Sequence, residues 1–196
     1  KHTTADNMTT MLQGSQVGPT PTFFFDYSVK DLRRDITCCP FQWTKGVQTL
    51  QSFKSWSFGK LRYEWTNRMI PTGNDDGINR QYMRYADIVL MRAELENELN
   101  GASAAVPYLT KIRNRAFATS DRATEVTAYV AEAALSKEKM FQAIVDERAY
   151  EFAGELIRKA DLIRWGMLKS KMDETKNKMK AIVSLTDYDS KHPYSQ

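Results

Sequence analysis

From Arg84 onward the apolar positions of this chain recur with the 3.6-residue period of amphipathic helices; before Arg84 they do not. Tyr85, Ile88, Val89, Leu95 and Leu99 fall on one face of a first predicted helix, with Ala86 and Ala93 small enough to admit a close neighbour. Asn100-Gly101 supplies its stop, since Gly reaches positive φ without a Cβ penalty. Val106, Leu109, Ile112 and Ala116 mark a second helix, in which Pro107 belongs to the first turn or else introduces a kink. The polar stretch Thr119 to Thr127 reads as a loop. A third helix starts near Ser136, a good N-cap, with Glu138 favouring the N-terminal dipole. Its apolar face is Met140, Phe141, Ile144, Val145 and Phe152, and Gly154 interrupts the run. A fourth segment, Glu155 to Leu168, carries Leu156, Leu162, Ile163 and Trp165, and a lysine-rich fifth runs to about Leu185. Helices of this length joined by short links pack as antiparallel pairs. The chain shows no clean 34-residue self-similarity, so a repeat architecture does not follow from its period.

Residues 1–83 read differently. Pro19, Pro21, Pro40, Gly46, Gly59 and Pro71 punctuate the segment, and 72–77 is a dense turn signal. Short strands are predicted at Thr22 to Tyr27 and Ser57 to Trp65. Three of the four tryptophans lie here: Trp43, Trp56 and Trp65. The expected organisation is a loop-rich segment, 1–83, and a helical segment, 84–196, as parts of one domain.

A 196-residue chain with 42% hydrophobic and 27% charged residues has the makings of a packed core. The opening Lys1 and the polar ending Tyr188 to Gln196 suggest a piece of a longer protein. No run approaches the roughly 18 apolar residues of a membrane span. The net charge of +4 is spread along the chain and interleaved with acids, so nucleic acid is not an expected partner. The lysines from Lys169 to Lys180 read as a solvated helix face. Cys38 and Cys39 are adjacent, with no Cys-x-x-Cys, and so support neither a zinc site nor a thioredoxin-like motif.

Glu147 and Glu151 are four apart on one helix face, where two carboxylates could serve glycoside hydrolysis. Arginines interleave them, however, and ion-paired carboxylates keep low pKa values, unsuited to a general acid. Structural ion pairs are the expectation. His2 and His192 lie near the two ends, poor places for a catalytic triad. Asn74, Asp75 and Asp76 offer oxygen ligands but lack the ladder and bidentate Glu of an EF-hand, so a turn is expected there.

Three helical blocks resemble motifs of the SusD/RagB family. Arg84, Tyr85, Ala86, Asp87, Leu90, Met91, Ala93, Glu94, Asn97 and Glu98 fit its R-Y-A-D helix. Leu109 to Ala116, LTKIRNRA, resembles L-N-x-I-R-N-R-A, with Thr110 where Asn is usual. Glu147, Arg148, Glu151, Phe152, Gly154, Glu155, Arg158, Asp161, Leu162, Arg164 and Trp165 fit a third block, in which Leu156 and Ala160 depart from the usual Gly and aromatic. Upstream, DLRRDIT (Asp31 to Thr37) and Gly59-Lys60 are similar to a further stretch and a strand lysine. The blocks keep family order over most of the chain.

The resemblance implies a mainly α fold of tetratricopeptide-like antiparallel helix pairs, with a loop-rich, aromatic-rich segment docked on them. It implies a non-enzymatic lipoprotein, anchored by lipid on the cell-surface side of the outer membrane. Such a protein captures oligosaccharide or polysaccharide and passes it to a SusC-like TonB-dependent transporter. No cofactor and no metal are implied. The alternative is a helical scaffold that docks the transporter without binding glycan. Sugars present apolar C–H faces ringed by hydroxyls, and half-apolar rings suit them. Tyr27, Phe41, Trp43 and Trp56 are therefore the candidate glycan-binding residues, against the plainer expectation, favoured for any one of them taken singly, of a place in the core.

Overall fold

The computed structural model describes all residues except 11, 13, 15, 16, 53, 54, 72–76, 80 and 185–196. The turn at 72–76, including Asn74 to Asp76, the end of the fifth helix at Leu185, and His192 therefore lie outside the described residues.

The fold is mainly α. The helices are α1 (Pro21–Asp26), α2 (Arg34–Thr37), α3 (Tyr85–Asn100), α4 (Ala102–Ala116), α5 (Tyr129–Ala133), α6 (Lys137–Phe152), α7 (Arg158–Arg164) and α8 (Leu168–Ser184). The strands form two short antiparallel pairs: β1 (Cys38–Cys39) with β4 (Ser57–Phe58), and β2 (Phe41–Thr44) with β3 (Val47–Leu50). No described helix is long and apolar enough to cross a membrane.

The chain forms two compact units that do not follow chain order. One contains Val29–Arg34 and Arg80–Glu155; the other contains Lys1–Ser28, Asp35–Asn79 and Leu156–Gln196.

In the first unit α3 and α4 pack as an antiparallel pair, turned by Gly101 at φ 87°. The face that α3 buries is Ala86, Val89, Leu90, Ala93, Glu96 and Asn97. This corrects the sequence expectation. Of the five residues assigned to the inner face only Val89 is buried, whereas Tyr85, Ile88, Leu95 and Leu99 are exposed. Ala86 and Ala93 let the helices approach closely, and with Val89 and Leu90 they mark the contact. Pro107 sits inside α4, beyond its first turn. The expected loop after α4 is largely helical: a 3₁₀ turn at Thr119–Asp121, a π-helical stretch at Ala123–Ala128, then α5. Buried Val126 and Val130 anchor it, and Arg113 donates to the Glu125 carbonyl at 3.0 and 2.6 Å. The α6 N-cap is Ser136, whose Oγ accepts from the Lys139 N–H at 3.2 Å.

In the second unit the expected strand at Thr22 to Tyr27 is α1 instead. Pro21 at its first position has the helical φ built in, and this outweighs the β preference of three phenylalanines. The other expected strand survives only as β4, because Tyr63–Trp65 forms a 3₁₀ turn. Between them lies a hairpin the periodicity did not reveal. Lys45 and Gly46 both take positive φ, 52° and 74°, giving the primed two-residue turn that matches strand twist. In α7, Leu162 is buried but Ile163 is exposed, as is Leu156, which sits before the helix at φ 65°. Lys178 of α8 pairs with Asp26 of α1 at 2.6 Å.

Candidate functional site

Charged residues of the three helical blocks up to Glu155, together with Asp31 and Arg33, form a lattice within the first unit. Glu147, fully buried on α6, accepts from Arg33 Nη1 at 2.7 Å and from Arg113 Nη1 at 2.8 Å. One turn on, Glu151 accepts from Arg33 at 3.0 Å and Arg84 at 2.8 Å, and also pairs with Arg115. Arg84 grips Glu155 at 2.7 and 2.9 Å, Arg33 grips Asp31 at 3.0 and 2.7 Å, and Arg148 holds Asp87 at 2.7 Å. The Arg84 and Arg148 guanidiniums lie over the buried Phe152 ring, 4.9 and 5.0 Å from its centroid. Burial pushes the Glu151 carboxyl up, but the Arg84 hydrogen bond and the Arg33 and Arg115 charges outweigh it and hold the carboxyl below its ordinary range. These are the ion pairs expected from the sequence. A carboxylate held ionised by surrounding arginines cannot give up a proton as a general acid at neutral pH.

The second unit has a different chemistry. Phe41 and Trp43 share one face of β2, half-buried, with ring centroids 6.5 Å apart at 87°. Behind Trp43 lies His2, nearly parallel at 6.2 Å and 10°, and His2 also stacks on Tyr63 at 5.4 Å. His2 is buried and hydrogen-bonded to Asp6 at 2.7 Å, contrary to the expectation of a loose terminus. Trp43 Nε1 donates to Glu64 at 3.3 Å. The Arg62 guanidinium lies 5.2 Å from the Phe41 ring and 5.0 Å from the Trp65 ring. It donates to the carbonyls of Gly59 (2.8 Å), Asp35 and Ile36 (both 3.1 Å), which fixes it in place. Gly59 is required here, for a Cβ would stand 2.4 Å from the Ile36 carbonyl oxygen.

The four sequence candidates separate in the structure. Phe41 and Trp43 come together on β2. Tyr27 and Trp56 are 2% and 3% exposed, with their rings covered by Phe23 at 5.1 Å and Phe24 at 4.9 Å. Trp65, the last residue of the predicted strand Ser57 to Trp65, is 58% exposed. The 3₁₀ turn breaks the alternation that would have carried it inward. The signal that could have found this cluster is Lys45-Gly46 between two alternating runs, FQWT and VQTL.

The fold and the blocks have counterparts in known proteins. The chain is similar to the SusD-like protein P25 of Formosa agariphila, 48% identical over 90 residues, which is 46% of this chain and 16% of that protein. Its fold is similar to the crystal structure of a SusD homolog from Bacteroides thetaiotaomicron, with a TM-score of 0.69 at 23% identity over 79% of this chain and 34% of that one. That likeness shows the fold, including the tetratricopeptide-like helix pairs. The chain thus spans a sixth of the length of the one relative and a third of the other. The family model described as the SusD family matches residues 45–195, and the chain belongs to that family.

Proposed function

We propose that the protein binds oligosaccharide or polysaccharide at the cell surface, without breaking bonds, for delivery to a SusC-like TonB-dependent outer-membrane transporter. Family membership supports a glycan-binding, nutrient-uptake role in general. The observation that carries the reading at this chain's own residues is the aromatic platform of Phe41, Trp43 and Trp65 around the fixed Arg62. Trp65 offers a large, half-wet ring, and its indole suits the apolar face of a pyranose. The neighbouring Glu64 carboxylate, which accepts from Trp43 Nε1, is a hydrogen-bonding group of the kind sugar hydroxyls need. Trp65 replaces the buried Tyr27 and Trp56 in the proposed site. Lipid anchoring of the whole protein on the outer-membrane surface is part of the same proposal.

Tryptophan fluorescence titrated with a panel of neutral, acidic and sulfated oligosaccharides tests it. Saturable quenching or a blue shift with at least one glycan is expected. A folded chain whose emission responds to none of them sinks the reading.

A further inference from the structure

Arg62 and Glu64 stand in the hairpin cluster as a donor and an acceptor that do not meet. Arg62 Nη1 and Glu64 Oε1 are 3.8 Å apart, too far for a hydrogen bond between them. The remaining atoms of each group are engaged. Arg62 Nε and Nη2 donate to the carbonyls of Gly59, Asp35 and Ile36, and Glu64 Oε2 accepts from Trp43 Nε1. Neither group can close the gap without giving up those bonds. The gap is also open to solvent: the two side chains are 14% and 22% exposed, next in the chain to the largely exposed Trp65.

This spacing matches a particular sugar group. A vicinal diol holds its two hydroxyl oxygens roughly 2.8 Å apart, about the length of one hydrogen bond. One oxygen accepts from Arg62 Nη1 while the other donates to Glu64 Oε1, and the ring that carries them stacks on Trp65. A carboxylate or sulfate can replace the first hydroxyl at Arg62, but not the second at Glu64. It has no proton to donate there, and it sets a second negative charge against a fixed one. Unpaired like charge is how a site rejects a competitor of the right shape. We infer that the platform, if it binds glycan as proposed above, takes a neutral glycan through a vicinal diol, and that Glu64 is the specificity-determining residue that turns away uronates and sulfate esters. Arg62 by itself would favour an anionic sugar. Two observations decide against that: the edge of its guanidinium that the backbone carbonyls leave open is the one beside a carboxylate, and that carboxylate is the more exposed partner of the pair.

The probes are the 1,4-linked hexaoses of glucose, mannose and galactose, which keep a free vicinal diol on every ring. Each is compared with its uronate counterpart, in which a carboxylate replaces the hydroxymethyl group and the diol is unchanged. Calorimetric titration of the unsubstituted protein should show at least one neutral hexaose bound at least about tenfold more tightly than its uronate. In Glu64→Gln, which keeps an acceptor for Trp43 Nε1, the ratio of uronate to neutral affinity should rise by about tenfold or more. A merely structural role for Glu64 would weaken both ligands alike and leave the ratio where it was. If that variant fails to fold, salt gives the same answer on the unsubstituted protein. Screening should tighten the uronate and leave the neutral hexaose unmoved, whereas a cationic site would lose the uronate as salt rises. A preference for uronates, an unchanged ratio in Glu64→Gln, or binding confined to glycans without a vicinal diol overturns the neutral-diol assignment and leaves glycan binding standing. Silence from every glycan overturns both.

Discussion

In the helical unit, arginines meet carboxylates: Arg33, Arg84, Arg113 and Arg115 converge on the buried Glu147 and Glu151, and of these four only Arg115 is largely exposed. Around the β2–β3 hairpin, the guanidinium of Arg62 has one carboxylate, Glu64, at 3.8 Å, but it is held mainly by backbone carbonyls and lies against two rings, one of them largely in solvent. The same residue type is used to opposite ends. A buried, mutually neutralised lattice is costly to break and offers nothing to a ligand, because each charge is already matched. A fixed cation beside half-exposed rings leaves an amphipathic surface open. The conspicuous charges that identify the family therefore belong to its frame, and binding is to be sought where the sequence is less regular.

The sharpest way to break this comparison is Glu147→Ala. It leaves the Arg33 and Arg113 guanidiniums without the carboxylate they share, and loss of one partner from a buried ion pair costs about 3–5 kcal/mol. Denaturant unfolding should show that loss. A change below about 1 kcal/mol would mean that water reaches the lattice and that it is not a frame. Close behind comes Trp56→Ala, expected to cost about 3 kcal/mol by emptying a site packed against Phe24. A chain that kept its stability after this change would return Trp56 to the list of surface candidates.

Acid tests the lattice next. The Glu151 carboxyl is held below its ordinary value of 4.5 in the folded state. A group with a depressed folded pKa stabilises the fold fully above its unfolded pKa, and the contribution is lost as pH falls through the folded one. Tm is therefore expected to hold from neutrality to about pH 4.5 and to decline below it. Glu151→Gln should start from a lower Tm and show a shallower acid decline. An unchanged acid limb in that variant would remove Glu151 from the lattice's stabilising members.

How far the sequence reveals all this depends on what kind of signal each element leaves. Ser136 and Gly101 are legible because capping is local chemistry, readable from a few neighbouring residues. Ser136→Ala should accordingly cost about 0.5–1 kcal/mol in thermal unfolding, and no loss would show that the 3.2 Å cap bond contributes nothing. The charges of α6 are legible for a related reason: Glu147 and Glu151 share a face by spacing alone, and nearby motifs supply the arginines. The inner face of α3 is not, because Tyr85, Ile88, Leu95 and Leu99 lie on its outer side while Ala86 and Ala93 share the inner face with Val89 and Leu90, so a count of bulky positions selects the wrong side. Nor is α1, where Pro21 and tertiary ring packing override the strand preference of Phe23 to Phe25. The candidate cluster is half legible. Phe41 and Trp43 follow from loop-borne aromatics, but the exposure of Trp65 depends on a 3₁₀ turn that alternation cannot foresee, and the burial of Tyr27 and Trp56 on partners from a helix not expected there.

The smallest expected effect on stability is the one that decides function. Trp65 is 58% exposed, and its main contact in the cluster is the Arg62 guanidinium at 5.0 Å, which backbone carbonyls hold whether or not the indole is present. Trp65→Ala should therefore cost less than about 1 kcal/mol of stability, the range of an exposed cation–π contact. If the ring is a stacking surface for sugar, the same substitution removes about 1 kcal/mol or more of binding, roughly a fivefold or greater rise in Kd for a glycan that the unsubstituted chain binds. Trp43→Ala should weaken binding too, but with a larger loss of stability, since its ring rests on His2 and its Nε1 on Glu64. Calorimetric titration beside thermal unfolding separates the two. Affinity lost without stability at Trp65 places the ligand on the hairpin cluster. Affinity unchanged at Trp65 and Phe41 alike removes the cluster from the binding site, and with it the division of labour between the two regions.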